Sequence, residues 1–261
     1  MAFKSPAEIV ATTIASGKNK IQLSIGKLIL LGFLAGSYIA LGGLLAIIVG
    51  GGIPAIKAEN PGLQKLLFAG VFPVGLMLVV IAGAELFTGN TATLIPPLLS
   101  KTISWKGLLK NWGVVYISNF VGALFVAWAF AYGGKVFAQD PWLSSVKSIA
   151  VAKVSLDFTT LFLKAVACNW LVCLAVWMAI AADDIAGKII AIWFPIMAFV
   201  AMGFEHSIAN MFFIPAGMFY GASVNLQQFL IGNLLPVTLG NIVGGAVFVG
   251  MGYWFVYGER T

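Results

Sequence analysis

The chain has 261 residues, of which 61% are hydrophobic and 9% are charged, and its mean hydropathy is +1.00. A soluble globular domain carries about 25% charged residues, so folding in water does not account for this composition. All but one of the 15 basic residues are lysines scattered between apolar runs, which argues against nucleic-acid binding despite the net charge of +6. The composition predicts an integral membrane protein.

The N-terminal stretch SPAEIVATTIASGK predicts a short amphipathic helix at the membrane surface, within residues 1–27. Ser5 is suited to the N-cap, Pro6 to the first helical position, and Glu8 to the third position of a capping box. The N-terminal stretch MAFKSPAEIV is too polar for the apolar region of a signal peptide, so no cleaved signal is expected.

Six apolar runs follow, each with about the 20 residues that a helix needs to cross a bilayer. Their apolar character is continuous, whereas the strands of a membrane barrel alternate. The pattern predicts one all-α transmembrane domain of six helices. The runs cover approximately residues 28–50, 66–99, 108–134, 158–182, 189–220 and 229–257.

Lysine and arginine are unevenly distributed between the two predicted faces of the membrane. The face that carries both termini has nine of them, including Arg260, and the opposite face has five. The more basic loops of a membrane protein usually face the cytoplasm. The sequence therefore predicts a multi-pass protein of the cell membrane with both termini in the cytoplasm.

Two sequence patterns recur at nearly the same spacing. GAELFTGN at 83–90 and GFEHSIAN at 203–210 share the pattern G-x-E-x-x-x-small-N, 120 positions apart, and each interrupts an apolar run. NFVGA at 119–123 recurs as NIVGG, 122 positions later. We interpret the chain as two three-helix repeats, residues 28–134 and 150–257, the second inverted because three crossings are an odd number. Interrupted helices 2 and 5 should then meet near the bilayer centre.

Polar residues at the two interruptions are the candidate functional residues. Glu85 and Glu205 are equivalent, and we interpret them either as staples that accept backbone N–H bonds at each break or as a proton-handling pair. His206 stands where the first repeat has Leu86. Since imidazole changes charge near neutral pH, we interpret His206 as meeting the solute, with a simply buried histidine as the alternative. Thr88 is expected to bond the solute or His206, or to cap the next helix.

The remaining polar residues suggest supporting roles. Asn119 is interpreted as a hydrogen-bonding contact between helices, and Lys153 as either reaching the lipid interface or drawing anions into an outer vestibule. Cys168 and Cys173 lie five residues apart on a helix and point to different faces, so neither a disulfide nor a metal site is expected. One histidine cannot hold a haem through two histidines, and no nucleophile motif suggests an enzyme, so no cofactor is expected.

Four segments together with Lys153 resemble the formate/nitrite transporter family, and most closely its formate channels. The segments are AELFTGNT at 84–91, NWLVCLAVWM at 169–178, GFEHSIANMFFIP at 203–215 and LLPVTLGNIVGG at 234–245. The resemblance covers nearly the whole chain. It implies a homopentamer of aquaporin-like protomers in the lipid bilayer, in which each protomer has its own pore for a small monovalent anion of a weak acid.

The same resemblance implies roles for individual positions, with His206 and Thr88 lying between two hydrophobic constrictions. One constriction would be formed by Phe72, Leu76 and Leu86, and the other by Val172 and Phe199. The gating loop would comprise Leu86, Phe87, Thr88, Gly89 and Asn90. The pore-side asparagines would be Asn169 and Asn241, and the vestibule lysine would be Lys153.

A bare anion between two apolar constrictions has a large desolvation cost, which a neutral acid largely avoids. The expected function is therefore pH-dependent transport of formate, which acquires a proton at or before His206. Nitrite and hydrosulfide are alternatives within the family, and a channel for neutral solutes is an alternative outside it. The sequence does not decide whether His206 donates the proton, or whether the protein is a passive channel or a proton symporter.

Overall fold

The computed structural model describes residues 3–258, so Arg260 lies outside the described residues. The fold is helical, as predicted, and five helices (α2, α4, α7, α9 and α12) are long and apolar enough to cross a membrane. The helices are α1 (Pro6–Gln22), α2 (Ile25–Gly51), α3 (Pro54–Glu59), α4 (Pro61–Ala82), α5 (Phe87–Thr93), α6 (Ile95–Leu99), α7 (Trp105–Gly133), α8 (Trp142–Val154), α9 (Phe158–Ala181), α10 (Ile185–Ala201), α11 (Ser207–Phe219) and α12 (Gln228–Tyr257).

The N-terminal helix α1 begins as its sequence predicts. The Ser5 hydroxyl accepts the Glu8 N–H at 3.4 Å, and the Glu8 carboxylate accepts the Ser5 N–H at 2.6 Å, which completes a capping box. Ile9 and Val10 are buried in a cluster with Trp177 of α9. This apolar contact holds α1 against the helical bundle.

Close packing joins the first and third long helices of each repeat, α2 with α7 and α9 with α12. Gly122 of α7 lies against the backbone carbonyl of Phe33, and Gly244 of α12 lies against that of Val166. A Cβ atom at either glycine would collide with that carbonyl, so only glycine permits this approach.

Each pattern found at an interruption begins with a glycine that ends a helix. Gly83 follows α4 with a φ of 83°, and Gly203 lies just after α10 with a φ of 69°. Nothing lies within 4 Å of the position that a Cβ would take at either residue. The left-handed backbone conformation, and not packing, therefore requires glycine here.

The predicted gating loop lies partly in a helix. The chain is non-helical at residues 83–86, and α5 begins at Phe87, so of the predicted gating loop Phe87, Thr88, Gly89 and Asn90 lie in the first turn of a helix. Leu86 is the N-cap residue, and its carbonyl accepts the Asn90 N–H at 2.9 Å. This bond forms the first turn of α5, which the short polar sequence FTGNT did not reveal.

Asparagine side chains tie each break to the neighbouring helices. The Asn119 amide oxygen accepts the N–H of Phe87 at 2.9 Å, and its nitrogen donates to the carbonyls of Gly32 at 2.7 Å and Glu85 at 2.9 Å. The bonds to Phe87 and Glu85 satisfy peptide groups that have left the helical hydrogen-bond ladder. The bond to Gly32 ties this segment to α2. The same three bonds recur between Asn241 and the backbone of Ser207, Ala165 and Glu205.

These bonds correct the interpretation of the glutamates as staples for backbone N–H groups. The asparagines have that role, because an amide donates and accepts at once, whereas an ionised carboxylate only accepts. The backbone of each glutamate is also tied: the Glu85 N–H reaches the Leu31 carbonyl at 3.2 Å, and the Glu205 N–H reaches the Lys164 carbonyl at 3.4 Å. The two breaks are thus held by matching sets of bonds.

Asn119→Leu is expected to lower the thermal stability of the detergent-solubilised protein markedly. It removes the partner of the Phe87 N–H and of the Glu85 carbonyl, and each such buried group costs about 1–3 kcal/mol when left unpaired. Asn19→Leu, at an exposed position of α1, is the matched control and should leave the melting temperature nearly unchanged. Equal melting temperatures for Asn119→Leu and the wild type would contradict the stapling role.

Candidate functional site

The two breaks meet at a small apolar chamber. Its volume is about 10 Å³, close to the smallest that holds one water molecule. His206 is the polar side chain among those that line it. The lining residues are Ile39, Phe72, Leu76, Leu86, Val172, Ile196, Phe199 and His206.

Most of this wall is built from equivalent positions of the two repeats. Ile39 and Val172 lie 133 positions apart on α2 and α9, and Leu76 and Ile196 lie 120 positions apart on α4 and α10. The sequence interpretation missed Ile39 and Ile196. The offset of 120 positions, applied to Leu76, would have identified Ile196.

The imidazole of His206 makes two hydrogen bonds that its counterpart Leu86 cannot make. Its Nδ1 accepts the N–H of Ala209 at 3.0 Å as the N-cap of α11, and its Nε2 lies 2.9 Å from the Thr88 hydroxyl. A ring nitrogen that accepts a hydrogen bond carries no hydrogen, so the neutral ring has its hydrogen on Nε2 and donates it to Thr88. Of the predicted roles of Thr88, the structure shows the contact with His206 and no cap on α5.

An aromatic pair separates the chamber from a larger outer cavity. The rings of Phe72 and Phe199 meet edge to face with centroids 6.0 Å apart, and Phe199 stacks on His206 at 5.9 Å. All three side chains line both spaces. The resemblance groups Phe72 with Leu76 and Leu86, whereas here Phe72 contacts Phe199 across the entrance to the chamber.

The outer cavity, which we call the vestibule, has a volume of about 500 Å³ and lies beyond this aromatic pair. Its lining includes Lys57, Lys65, Lys153 and Lys164. Lys153 lies 2.9 Å from the Glu205 carboxylate, so its charge is compensated. Within residues 3–258 the other three lysines have no ion-pair partner. These three lysines therefore carry the positive charge of the vestibule lining that no carboxylate compensates.

Each buried glutamate has a lysine and an asparagine as partners. Lys20 of α1 donates to Glu85 at 2.5 Å, and the Asn90 amide donates to the other carboxylate oxygen at 2.7 Å. Glu205 has equivalent bonds from Lys153 of α8 and from Asn210. Lys20 was not predicted, although it lies 133 positions before Lys153. The matching contacts therefore extend to the surface helices α1 and α8.

The predicted pore-side asparagines lie behind the chamber wall, and neither is among its lining residues. Asn241 donates both amide hydrogens to backbone carbonyls. The Asn169 amide nitrogen lies 2.8 Å from the Thr91 hydroxyl and 3.2 Å from the Thr88 carbonyl. Both residues position backbone next to the chamber.

In the described part of the chain, no three histidine, cysteine or acidic side chains come together as metal ligands do.

Residues 7–255 match the family model described as formate/nitrite transporter. This chain belongs to the formate/nitrite transporter family. A probable formate transporter of Methanothermobacter thermautotrophicus is 53% identical over 270 residues, which cover 98% of this chain and 97% of that protein. A formate channel of Bacillus thuringiensis is 44% identical over 261 residues, 100% of this chain and 98% of that protein.

A solved structure of a pentameric formate channel with formate bound matches this transporter with a TM-score of 0.79 and 35% identity. The match covers 90% of this chain and 98% of that one. The resemblance found in the sequence is confirmed, and so is the all-helical membrane fold. The relatives are transporters or channels, which confirms the expectation that the protein is not an enzyme.

Lys153→Met is expected to destabilise this transporter, because it leaves Glu205 charged and buried without its cation. Breaking a buried ion pair from one side costs about 3–5 kcal/mol. The double variant Lys153→Met/Glu205→Gln removes both charges and should recover most of the loss in thermal unfolding in detergent. Lys106→Met, at an exposed lysine, is the control. A double variant as unstable as Lys153→Met would contradict this account of the pair.

Proposed function

We propose that this transporter carries formate across the cell membrane, and that formate crosses the chamber as the neutral acid. The observation that supports this is the chamber itself, which presents one polar side chain, a neutral imidazole, among apolar walls. A bare anion there would lose its hydration and gain no countercharge, whereas a neutral acid avoids most of that cost. The lysines of the vestibule concentrate the anion at the entrance.

The bonds of His206 favour proton uptake before the ring. An imidazolium carries hydrogens on both nitrogens, so a hydrogen on Nδ1 would face the N–H of Ala209 and break the N-cap bond of α11. The substrate therefore takes its proton from water in the vestibule, and the ring remains a neutral hydrogen-bonding group. Flux should rise as the pH on the entry side falls, because the protonated fraction of the acid rises.

Formate is the substrate we favour because the similar proteins reported above are named as a probable formate transporter and as formate channels. Nitrite and hydrosulfide, also small monovalent anions of weak acids, are the alternatives. Crossing as the neutral acid moves one proton with each anion. Transport by this route is electroneutral and proton-coupled without a dedicated proton path.

We also propose the assembly and the orientation. The pentameric neighbour supports a homopentamer in which every protomer has its own pore. Helices α4 with α5, and α10 with α11, would form two interrupted crossings of an inverted six-crossing repeat. Both termini would face the cytoplasm, as the lysine distribution indicates, so the vestibule would open on the extracellular side.

Uptake by proteoliposomes tests the substrate and the coupling together. Formate, nitrite and hydrosulfide would be offered separately while internal pH is recorded, and osmotic swelling in glycerol would test neutral solutes. We expect formate uptake with matching internal acidification and no dependence on membrane potential. Potential-driven uptake without acidification would show that the bare anion crosses. Swelling in glycerol without formate uptake would overturn the proposed function.

Substitution of His206 tests the source of the proton. His206→Asn keeps a side chain that can accept the Ala209 N–H at the N-cap but cannot ionise, so pH-dependent formate uptake should persist. His206→Phe removes both the cap and the polar group, and uptake should fall about tenfold or more, the effect of losing hydrogen bonds worth about 1–1.5 kcal/mol each. If uptake by His206→Asn no longer depends on pH, the imidazole is the proton donor.

A further inference from the structure

Three side chains lie within hydrogen-bonding distance of the backbone carbonyl of Thr88, and the Asn169 amide nitrogen also lies 2.6 Å from the Asn241 carbonyl. The Thr91 hydroxyl lies 2.6 Å from this oxygen, the Asn169 amide nitrogen 3.2 Å, and the Cys173 sulfur 3.2 Å. All four residues are almost completely buried. A single carbonyl oxygen with this many side-chain donors is held in place from several directions, so the first turn of α5 is fixed at Thr88.

The three donors converge on Gly245 of α12. A Cβ at this glycine would lie 2.8 Å from the Asn169 amide nitrogen and 2.9 Å from the Cys173 sulfur, and it would also meet the Thr91 hydroxyl. Any larger residue would therefore displace the donors themselves. The absence of a side chain at this position allows them to approach one carbonyl together.

This arrangement has no equivalent in the other repeat, although the bonds that hold the breaks are duplicated. The equivalent positions have no side-chain hydrogen-bond donor, and alanine stands in place of Gly245. In the order Thr88, Thr91, Asn169, Cys173 and Gly245, the counterparts are Ile208, Met211, Gly36, Ala40 and Ala123. The fold of a repeat does not require these donors, because the other repeat folds without them.

We propose that Thr91, Asn169 and Cys173, packed around Gly245, form a clamp that positions the Thr88 hydroxyl against Nε2 of His206. Threonine is β-branched and stiff at χ1, so fixing its backbone largely fixes its hydroxyl. The clamp residues do not line the chamber; they act on it through Thr88 and His206. The expected effect of the clamp on transport rests on the proposed function. The position of the Thr88 hydroxyl does not, and it can be tested separately.

The direct test uses the fact that His206 is the only histidine in the chain. Labelling histidine with ¹⁵N, in protein purified without a polyhistidine tag, gives one imidazole whose Nε2 resonance reports the bond to the Thr88 hydroxyl. Cys173→Val has a similar volume without a donor and should shift this resonance, whereas Cys173→Ser keeps a donor and should stay near the wild type. In a Thr88→Val background, Cys173→Val should produce no further shift.

Formate uptake by the same variants provides the second measurement. We expect Cys173→Val to lower the maximal rate about threefold to tenfold while its melting temperature stays close to that of the wild type, and Cys173→Ser to restore the rate. Thr88→Val should lower the rate, and adding Cys173→Val should then have little further effect. Gly245→Ala should reproduce the loss, and Ala123→Gly, at the equivalent position, should not.

An unchanged Nε2 resonance in Cys173→Val would overturn the clamp. So would an equal shift, or an equal loss of rate, in the presence and absence of the Thr88 hydroxyl, since Cys173 would then act by another route. If wild-type protein takes up no formate but the resonance behaves as described, the clamp stands and the proposed substrate fails.

Discussion

The constraint on which the rest of the structure depends is that a helix cannot end inside a membrane without new partners for its peptide groups. Here Asn119 and Asn241 provide them, each with all of its amide donors and its oxygen engaged with backbone. Gly83 and Gly203 turn the chain away from the helix axis just before the segment that each amide holds. With the breaks held in this way, the ends of four helices can meet around an apolar space.

Some residues at the two recurring motifs are the same in both, and others differ between them. Residues that recur, such as Glu85 and Glu205 with their lysines, are engaged with one another and satisfy the buried polar groups of the breaks. Residues that do not recur gather on one side of the chamber, where His206 replaces Leu86 and Thr88 replaces Ile208. The hydrogen-bonded pair of Thr88 and His206 thus stands where the two recurring motifs differ.

The sequence predicted the helical fold from its hydropathy and the proximity of Thr88 and His206 from its repeated motifs. It did not predict the ion pair of Lys153 with Glu205, since the lysine alone suggested a free charge that attracts anions. Nor did it reveal Ile39, whose side chain resembles that of any other lipid-facing isoleucine until α2 is packed against α4 and α7. Contacts between residues far apart in the chain depend on how the helices are oriented, and hydropathy does not carry that information.

The small size of the chamber has an energetic consequence for the cell. A space for about one water molecule, walled by leucine, isoleucine, valine and phenylalanine, cannot hold the continuous file of waters along which protons hop. Hydronium would also have to give up its hydration to enter such a space. A space of this kind therefore gives protons no path for hopping across the chamber.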